Sequence, residues 1–596
     1  TYTNGTLDLD GTLTIAANGT LSAPRGNLDL AANIDNAGAF THNNGTVRGL
    51  DSIYVNQSSS VAFTFYNWEQ AGGQLRFYKD ETIERQLQLD AGASHCYIFS
   101  SASQNVTLTM GTATNPESSY PKLINNMNTG DKQFWFYAGD GQTATLAGVL
   151  ETHPIIVTNT NSSNFQWGYH ANSNAQLKNC DFQFDITTEG NDDRIKLTGD
   201  CEFDAFTVGS GDILDLNGQR AVFSGAFDLN GSLDLDGSLA IFKHTLDLGG
   251  KSPSAGLESD ADTIIIHDPP STSEKAITSL YAQGTFFAKG AESEVTAYAW
   301  GGGSTQQPTN IFVGGKLDCQ QNTSSTENIT VATGGELLGT DRTLTVGGDF
   351  TTSGGLIGKS AFDFDGSSGL INAGNDSSID NIFAGGGTIE AWINVDGDGE
   401  TNGARIFDKN WDLRTFGHSG DTVKIEFSQF FATGKYQFQT GAVLTTGKWH
   451  HIAMTYNNAA PTNRATFYVD GKAVALTTTV DTGSGSATDD SSTDLIIGNR
   501  AADDKTLDGR VALVRLFDDI RTEAEVRADM FNNFASMANT GNLQLMYQFD
   551  EGSGTSVDDV SANSNTGAIT TGSSAWAGAG TFTHGTSTLV MSGTDK

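Results

Sequence analysis

The 596-residue chain carries 33 Lys+Arg against 70 Asp+Glu, a net charge of −37, which argues against nucleic acid or an anionic membrane as partners and suits work in salt water, where screening weakens self-repulsion. Its length exceeds what one hydrophobic core organises, so several domains are expected. Seventy glycines against nine prolines, with abundant Thr, Ser, Asn and Asp, are the composition of strands and turns rather than helices.

Four cysteines without a CxxC pair build neither a disulfide framework nor a structural zinc site. No run of 18 apolar residues is present to cross a bilayer. The chain opens at Thr1 with neither Met nor a signal-like segment, which reads as a processed chain or a fragment.

Gly-Thr-Leu triplets begin at Gly5, Gly11 and Gly19, with short alternating strands between them. Asn230 to Leu239 reads NGSLDLDGSL against NGTLDLDGTL at Asn4 to Leu13. Short strands closed by Asn-Gly or Asp-Gly corners, repeated along a chain, predict a β-solenoid over residues 1–250. Cys180-Asp181-Phe182 returns as Cys201-Glu202-Phe203, 21 residues on, so coils of about 20 residues are expected, with the two cysteines on adjacent coils as buried thiols or a disulfide.

Residues 51–170 are richer in aromatics: Phe63, Phe65, Tyr66, Trp68, Phe77, Tyr78, Phe134, Trp135, Phe136, Tyr137, Trp167 and Tyr169. They fill a wide core or stack against sugar. Residues 251–357 continue in strands (Thr263 to His267, Asn310 to Val313, Thr343 to Val346), and Gly301-Gly302-Gly303-Ser304 reads as a hinge or loop tip.

Lys448 to Tyr456 alternates with apolar residues on both faces, a strand covered on both sides. After it, Ala465 to Val469 and the Asp470-Gly471 pair predict a tight hairpin returning through Lys472. With Phe362-Asp363-Phe364-Asp365-Gly366, Thr388-Ile389-Glu390-Ala391-Trp392 and Leu495-Ile496-Ile497-Gly498, this phrase resembles the laminin-G-like, concanavalin-A-like jelly roll over residues 358–575. Thr522 and Glu525 form a capping box for a helix with Val526, Met530 and Phe534 on one face. Phe549-Asp550-Glu551-Gly552 resembles a phrase found beside such modules, although here it follows the jelly roll. A second departure is Ala512, which follows Gly509-Arg510-Val511 where the family often carries Asp.

Ala579-Gly580-Thr581-Phe582-Thr583-His584 repeats Ala37-Gly38-Ala39-Phe40-Thr41-His42, so residues 576–596 are expected to return to the solenoid, with the jelly roll as a side module. Lys596 falls inside a repeat, and continuation of the natural chain is the expectation. The fold class is therefore all-β: solenoid repeats plus a concanavalin-type sandwich.

Retaining glucanases on the concanavalin-like fold place two acids on one face through an E-x-D-x-x-E strand. That phrase is absent, Glu390 stands alone in its strand, and no catalytic residue is assigned. Asp8, Asp10, Asp234 and Asp236 read as solvated corners, and Asp489-Asp490 and Asp503-Asp504 as solvated loops. Asp396, Asp398 and Glu400 alternate as oxygen ligands of a calcium loop do, with a plain acidic loop as the alternative and Thr401 where the turn glycine belongs. For glycan binding the candidates are Trp411, flanked by Lys409 and Arg414, as a stacking ring with polar neighbours; the other reading of Trp411 is a core strand residue.

Solenoid repeats interrupted by laminin-G-like modules resemble structural proteins of marine bacteriophages and some bacterial adhesins. The resemblance implies a non-enzymatic virion protein, a tail fibre or appendage, offering a host-surface glycan-binding module and contacting other virion proteins. Alternatives are a bacterial surface adhesin or matrix protein, and a polysaccharide-active enzyme with a binding module. Open solenoid ends and long strand edges predict a homo-oligomer, with a trimer first.

Overall fold

The computed structural model describes residues 5–59, 61–99, 105–112, 121–127, 134–137, 143–150, 154–159, 174–183, 186–187, 194–248, 256–278, 282–297, 307–339, 342–460 and 463–592. Residues 301–304, Trp167, Tyr169 and the side chains of Phe134 and Tyr137 lie outside them. The chain forms two compact units, one of Thr1–Gly284 with Val295–Gln307 and one of Thr285–Glu294 with Pro308–Lys596.

The first unit is a parallel β-solenoid, as the repeats predict. Leu7–Leu9 pairs in parallel with Asn27–Leu30, which pairs with Thr46–Gly49 and so on to Thr64–Gln70. Alternate residues point inward, so Leu28, Val47 and Trp68 stack in register in the core. Cys180 is the register partner of Cys201, and both are free, buried thiols, which settles the choice between thiol and disulfide. Phe182, Phe203, Phe223 and Phe242 form a ladder of parallel rings 5.0–5.5 Å apart. The expected coil of about 20 residues holds there but not throughout. Leu87 pairs with Leu123 and Leu123 with Val157, so those coils run to 36 and 34 residues.

The aromatics of 51–170 divide between the inward and outward faces of the coils. Phe63, Phe65, Trp68 and Phe77 are buried and pack edge-on or stacked in the core. On the outward face Tyr54, Arg76, Tyr97 and Trp135 occupy successive rungs, with the Arg76 guanidinium 4.6 Å from the Tyr97 ring centroid.

The second unit holds further parallel coils and the jelly roll. Glu336–Leu338 pairs with Thr581–Thr583, and Thr343–Val346 with Thr588–Met591. The chain thus leaves the coils, builds the sandwich and returns to the same strands, as the repeated phrase predicts. The expected boundary at 576 moves slightly, because Ala575–Trp576 still pairs with Phe362–Asp365 inside the sandwich.

The sandwich has two antiparallel sheets. The first centres on Gly387–Val395 between Trp449–Tyr456 and Asp508–Phe517. The second runs from Leu476–Asp481 through Lys435–Thr445, Thr422–Thr433, Trp411–Ser419 and Arg405–Asp408 to Ile496–Ile497. Ile389, Ala391, Ile393, Met454 and Tyr456 face Leu413, Phe427 and Phe438 in the shared core. Asp470 and Gly471 have φ of 50° and 73°, the positive pair that a tight hairpin requires.

Every residue of Gly387–Val395 and Trp449–Tyr456 is buried, so the first sheet is covered on its outer face too. The cover is the helix Glu523–Asp529, which carries the expected capping box, followed by Phe531, with Phe287 and Phe312 from the coils. The helix ends before Phe534, which is therefore exposed and does not share the buried face of Val526 and Met530.

Beneath that cover the sheet buries charges. Arg515 Nη1 lies 3.2 Å from Glu390 Oε2 and donates to the Asp529 carbonyl at 2.9 Å, while Arg521 donates to Asp529 Oδ2 at 2.6 Å. Lys289, from the strand-bearing coil segment, donates to the Asp470 carboxylate, which also meets His450 Nδ1 at 2.8 Å.

Candidate functional site

The three residues nominated for glycan binding do not come together. Trp411 is 1% exposed and belongs to the sandwich core, edge-on to Phe383 at 5.1 Å. Its indole N–H donates to Asp490 Oδ2 at 3.2 Å. Lys409 is buried as well, its Nζ donating to Asp380 Oδ1 at 2.7 Å and lying 3.1 Å from Asp490 Oδ1. Asp490 is accordingly not a solvated loop residue: it is buried and clamps loop 482–494 to the sandwich through both nominated side chains. A ring sealed in this way offers no face to a sugar. Arg414 lies on the other face, because it stands three positions on from Trp411, an odd offset, and successive strand residues alternate sides.

On that outer face the second sheet carries a row of polar side chains across four strands. Arg405 Nε donates to Asp408 Oδ2 at 3.0 Å, and its Nη2 lies 3.6 Å from Asp412 Oδ2. Arg414 sits 3.6 Å from Asp412 Oδ1 and pairs with Glu426, which also accepts from the Gln437 and Gln439 amides. Direct register explains the row: Asp412 faces Ser428, Arg414 faces Glu426, and Glu426 faces Gln439. Burial pushes the Asp408 carboxyl up to about 6, with Arg405 opposing and Asp412 reinforcing the rise. Burial likewise raises Asp412 and lowers Arg414. Asp412 and Glu426 form the floor; Arg414, Gln439 and Lys435 are half-buried above them.

Phe430 shares the face of Glu426 and Ser428 and is 39% exposed. It is an exposed ring of this face, which also carries the half-buried Phe416 under Lys424 two residues on from Arg414, and sequence reasoning missed it in favour of Trp411. The signal was present: in Glu426 to Phe431, alternation places Glu426, Ser428 and Phe430 opposite the core residue Phe427. The face carries an exposed ring at Phe430, opposite Lys435 in register, and four residues along the same strand Glu426 with its guanidinium and amide partners, groups of the kind that hold hydroxyl-rich ligands.

The nominated calcium loop does not gather its ligands. Asp396 lies 3.3 Å from Arg510 Nη2, Asp398 Oδ2 accepts the His418 N–H at 2.9 Å, and Glu400 Oε2 accepts the Thr506 N–H and hydroxyl at 3.1 Å. Each carboxylate turns to its own partner: Asp396 and Glu400 to residues 506–510, Asp398 to the end of the strand Trp411–Ser419. Among the described residues, carboxylates converge within 4.8 Å at Asp234, Asp236 and Glu258 and at Glu292, Glu294 and Asp318 instead.

No helix among the described residues is long and apolar enough to cross a membrane. No curated protein matches the chain. Among solved structures, a putative carbohydrate binding protein from Bacteroides ovatus ATCC 8483 is 22% identical over 35% of this chain, with a TM-score of 0.27; the chain spans 57% of that protein's length. A heptameric SAP-like pentraxin from Limulus polyphemus is 14% identical, over 28% of this chain and 83% of its own, with a TM-score of 0.20. Tailspike protein 2 from Escherichia coli O157:H7 bacteriophage CAB120 is 9% identical, over 91% of this chain and 74% of its own, with a TM-score of 0.22. Residues 365–527 match the profile of the concanavalin A-like lectin/glucanases superfamily, and on this two-sheet antiparallel sandwich the match identifies that segment of the chain as a laminin-G-like domain of the superfamily.

Proposed function

We propose that the protein is a non-enzymatic structural and adhesive protein, in which the laminin-G-like sandwich binds a host-surface glycan through the outer face of its second sheet. The observation that carries this reading is the exposed Phe430 ring on the same sheet face as the Arg414–Glu426–Gln439 row, on a lectin/glucanase-superfamily domain inserted as a side module between paired coil strands. A scaffold of stacked coils is stiff, and a module hung from it is free to vary its surface without disturbing the stack. The placement in a virion, as a tail fibre or appendage outside the cell, follows the resemblance of the repeats to marine phage proteins; a bacterial adhesin would use the same surface. The proposal extends to self-association, first as a trimer, since strand edges along a solenoid are liabilities unless capped or paired.

The test is a glycan array with the full chain, wild type and Phe430→Ala. Binding by the wild type, weakened about tenfold in the variant with unchanged melting, is the expected result. Equal binding by both removes this face from the reading. The enzyme reading draws on one observation, the raised Asp408 carboxyl next to Asp412; reducing ends released from a bound polysaccharide, and lost in Asp408→Asn, would favour it.

A further inference from the structure

We infer that a cleft in the second unit, about 330 Å³ in volume, is a separate carbohydrate site that takes the end of a neutral oligosaccharide. One wall is the outward face of the coil strands Thr285–Ala288, Asn310–Val313, Ile329–Ala332 and Phe350–Gly354. The other is the segment after the helix, from Phe531 to Ser536, with Asp550 beyond it. The inference does not depend on the Phe430 face.

The cleft begins where the apolar seal between coils and sandwich stops. Along the outward face Phe287, Phe312, Thr330 and Thr351 are successive register partners. The first two rungs carry rings packed on Trp392 and Phe531, with centroids 5.1–5.7 Å apart. The next two carry hydroxyls and are left open. The stacked pair Phe312 and Phe531 thus ends the seal and floors the cleft.

The polar groups are arranged in donor and acceptor sets. The Asn310 carbonyl oxygen accepts the Asn328 side-chain amide at 3.0 Å, leaving the Asn310 NH2 without a partner among the described residues. Across the cleft the Asn533 side-chain carbonyl oxygen accepts from the Ser536 N–H and hydroxyl, both at 3.1 Å, and leaves a second NH2 without a partner among the described residues. The exposed carboxylates of Glu327 and Asp349 stand as acceptors on the coil wall. Each sugar hydroxyl both donates and accepts, so amide donors alternating with carboxylate acceptors over an aromatic floor match a polyol. Glu327, Asp349 and Asp550 outnumber Lys359, and the cleft therefore disfavours uronate- or sialate-ended chains. A volume near the low end of the roughly 300–1,000 Å³ of small-molecule sites fits one or two sugar residues, with the rest of the glycan in solvent.

The experiment uses the full chain carrying Phe430→Ala, an array of neutral and of uronate- or sialate-ended oligosaccharides, and titration with the neutral probes that bind. Binding should persist to neutral ends, weaken about tenfold in Asn533→Ala and in Asn310→Ala, and vanish in Thr351→Trp, which fills the cleft, with melting unchanged in the exposed-site variant Asn533→Ala. Binding of acidic ends only, or neutral binding untouched by Asn533→Ala and Thr351→Trp, overturns the inference. Loss of all binding with Phe430→Ala alone also overturns it and leaves the outer-face reading standing. Binding unchanged by Phe430→Ala yet abolished by Thr351→Trp supports the cleft and sinks the outer face.

Discussion

The coils of the first unit and the sandwich solve the same problem, burying strand faces, by opposite means. In the coils one residue type recurs up the stack, as Phe182, Phe203, Phe223 and Phe242 do, and Cys180 lies on Cys201. Repetition makes an inward charge costly, because the next coil would place its like directly opposite. Glu81 is a buried exception, held by the Asn56 amide at 2.6 Å and the Phe63 N–H at 2.5 Å. The sandwich has no repeat, so its strands and loops are fastened one by one, and the fasteners are buried ion pairs: Glu390 with Arg515 across neighbouring strands, Lys409 with Asp490, Lys289 with Asp470. Stacked neutral rungs tolerate substitution through sameness, whereas paired charges fail when either partner goes.

The largest expected effect breaks one such pair. Arg515→Met leaves Glu390 buried without its cation and should cost about 3–5 kcal/mol, melting the sandwich while the coil signal in far-UV circular dichroism persists. A single transition lost as a whole would show the two regions are not separable. Trp411→Ala comes next, at about 3–5 kcal/mol for a core indole, measured by urea unfolding; a stable variant with weaker glycan binding would return Trp411 to the surface.

The pH dependence should have opposite signs in the two regions. Burial raises the Glu81 carboxyl to about 8 despite the Phe63 and Asn56 hydrogen bonds. A raised acid stabilises the fold fully below its unfolded value of about 4.3, and that contribution is lost as pH rises towards 8. For Asp470, burial acts upward, but Lys289 and His450 outweigh it and hold the carboxyl far below its ordinary value. Its contribution is present above about 3.9 and is lost as pH falls below that. Melting curves of Glu81→Gln and Asp470→Asn between pH 3 and 8 should each flatten one limb, alkaline for the first and acid for the second; the same limb flattened by both would refute the contrast. The smallest effect on stability is Phe430→Ala, within about 0.5 kcal/mol as an exposed site, checked by melting alongside the binding assay.

Local chemistry was enough to read several features from the sequence. Alternation marked the strands, the 21-residue Cys spacing set the coils around Cys180–Phe242 though not the longer ones before them, Asp470-Gly471 set the hairpin, and Thr522 with Glu525 set the helix start. The phrase returning at Ala579 placed the sandwich as an insertion. Each of these depends on residues near one another or on exact repetition. What the tertiary structure decided was which of two alternating faces is covered. Period two separates Trp411 from Arg414 but does not say which side meets a second sheet, so alternation alone favours the buried Trp411 as readily as the exposed Phe430. Nor does a turn signal reveal its partner: Asp470 reads as a hairpin corner, yet its charge is held by Lys289, 181 residues earlier. The cleft is likewise invisible in one dimension, since Asn310 and Asn533 share it only because the chain leaves the coils, builds a sandwich and comes back.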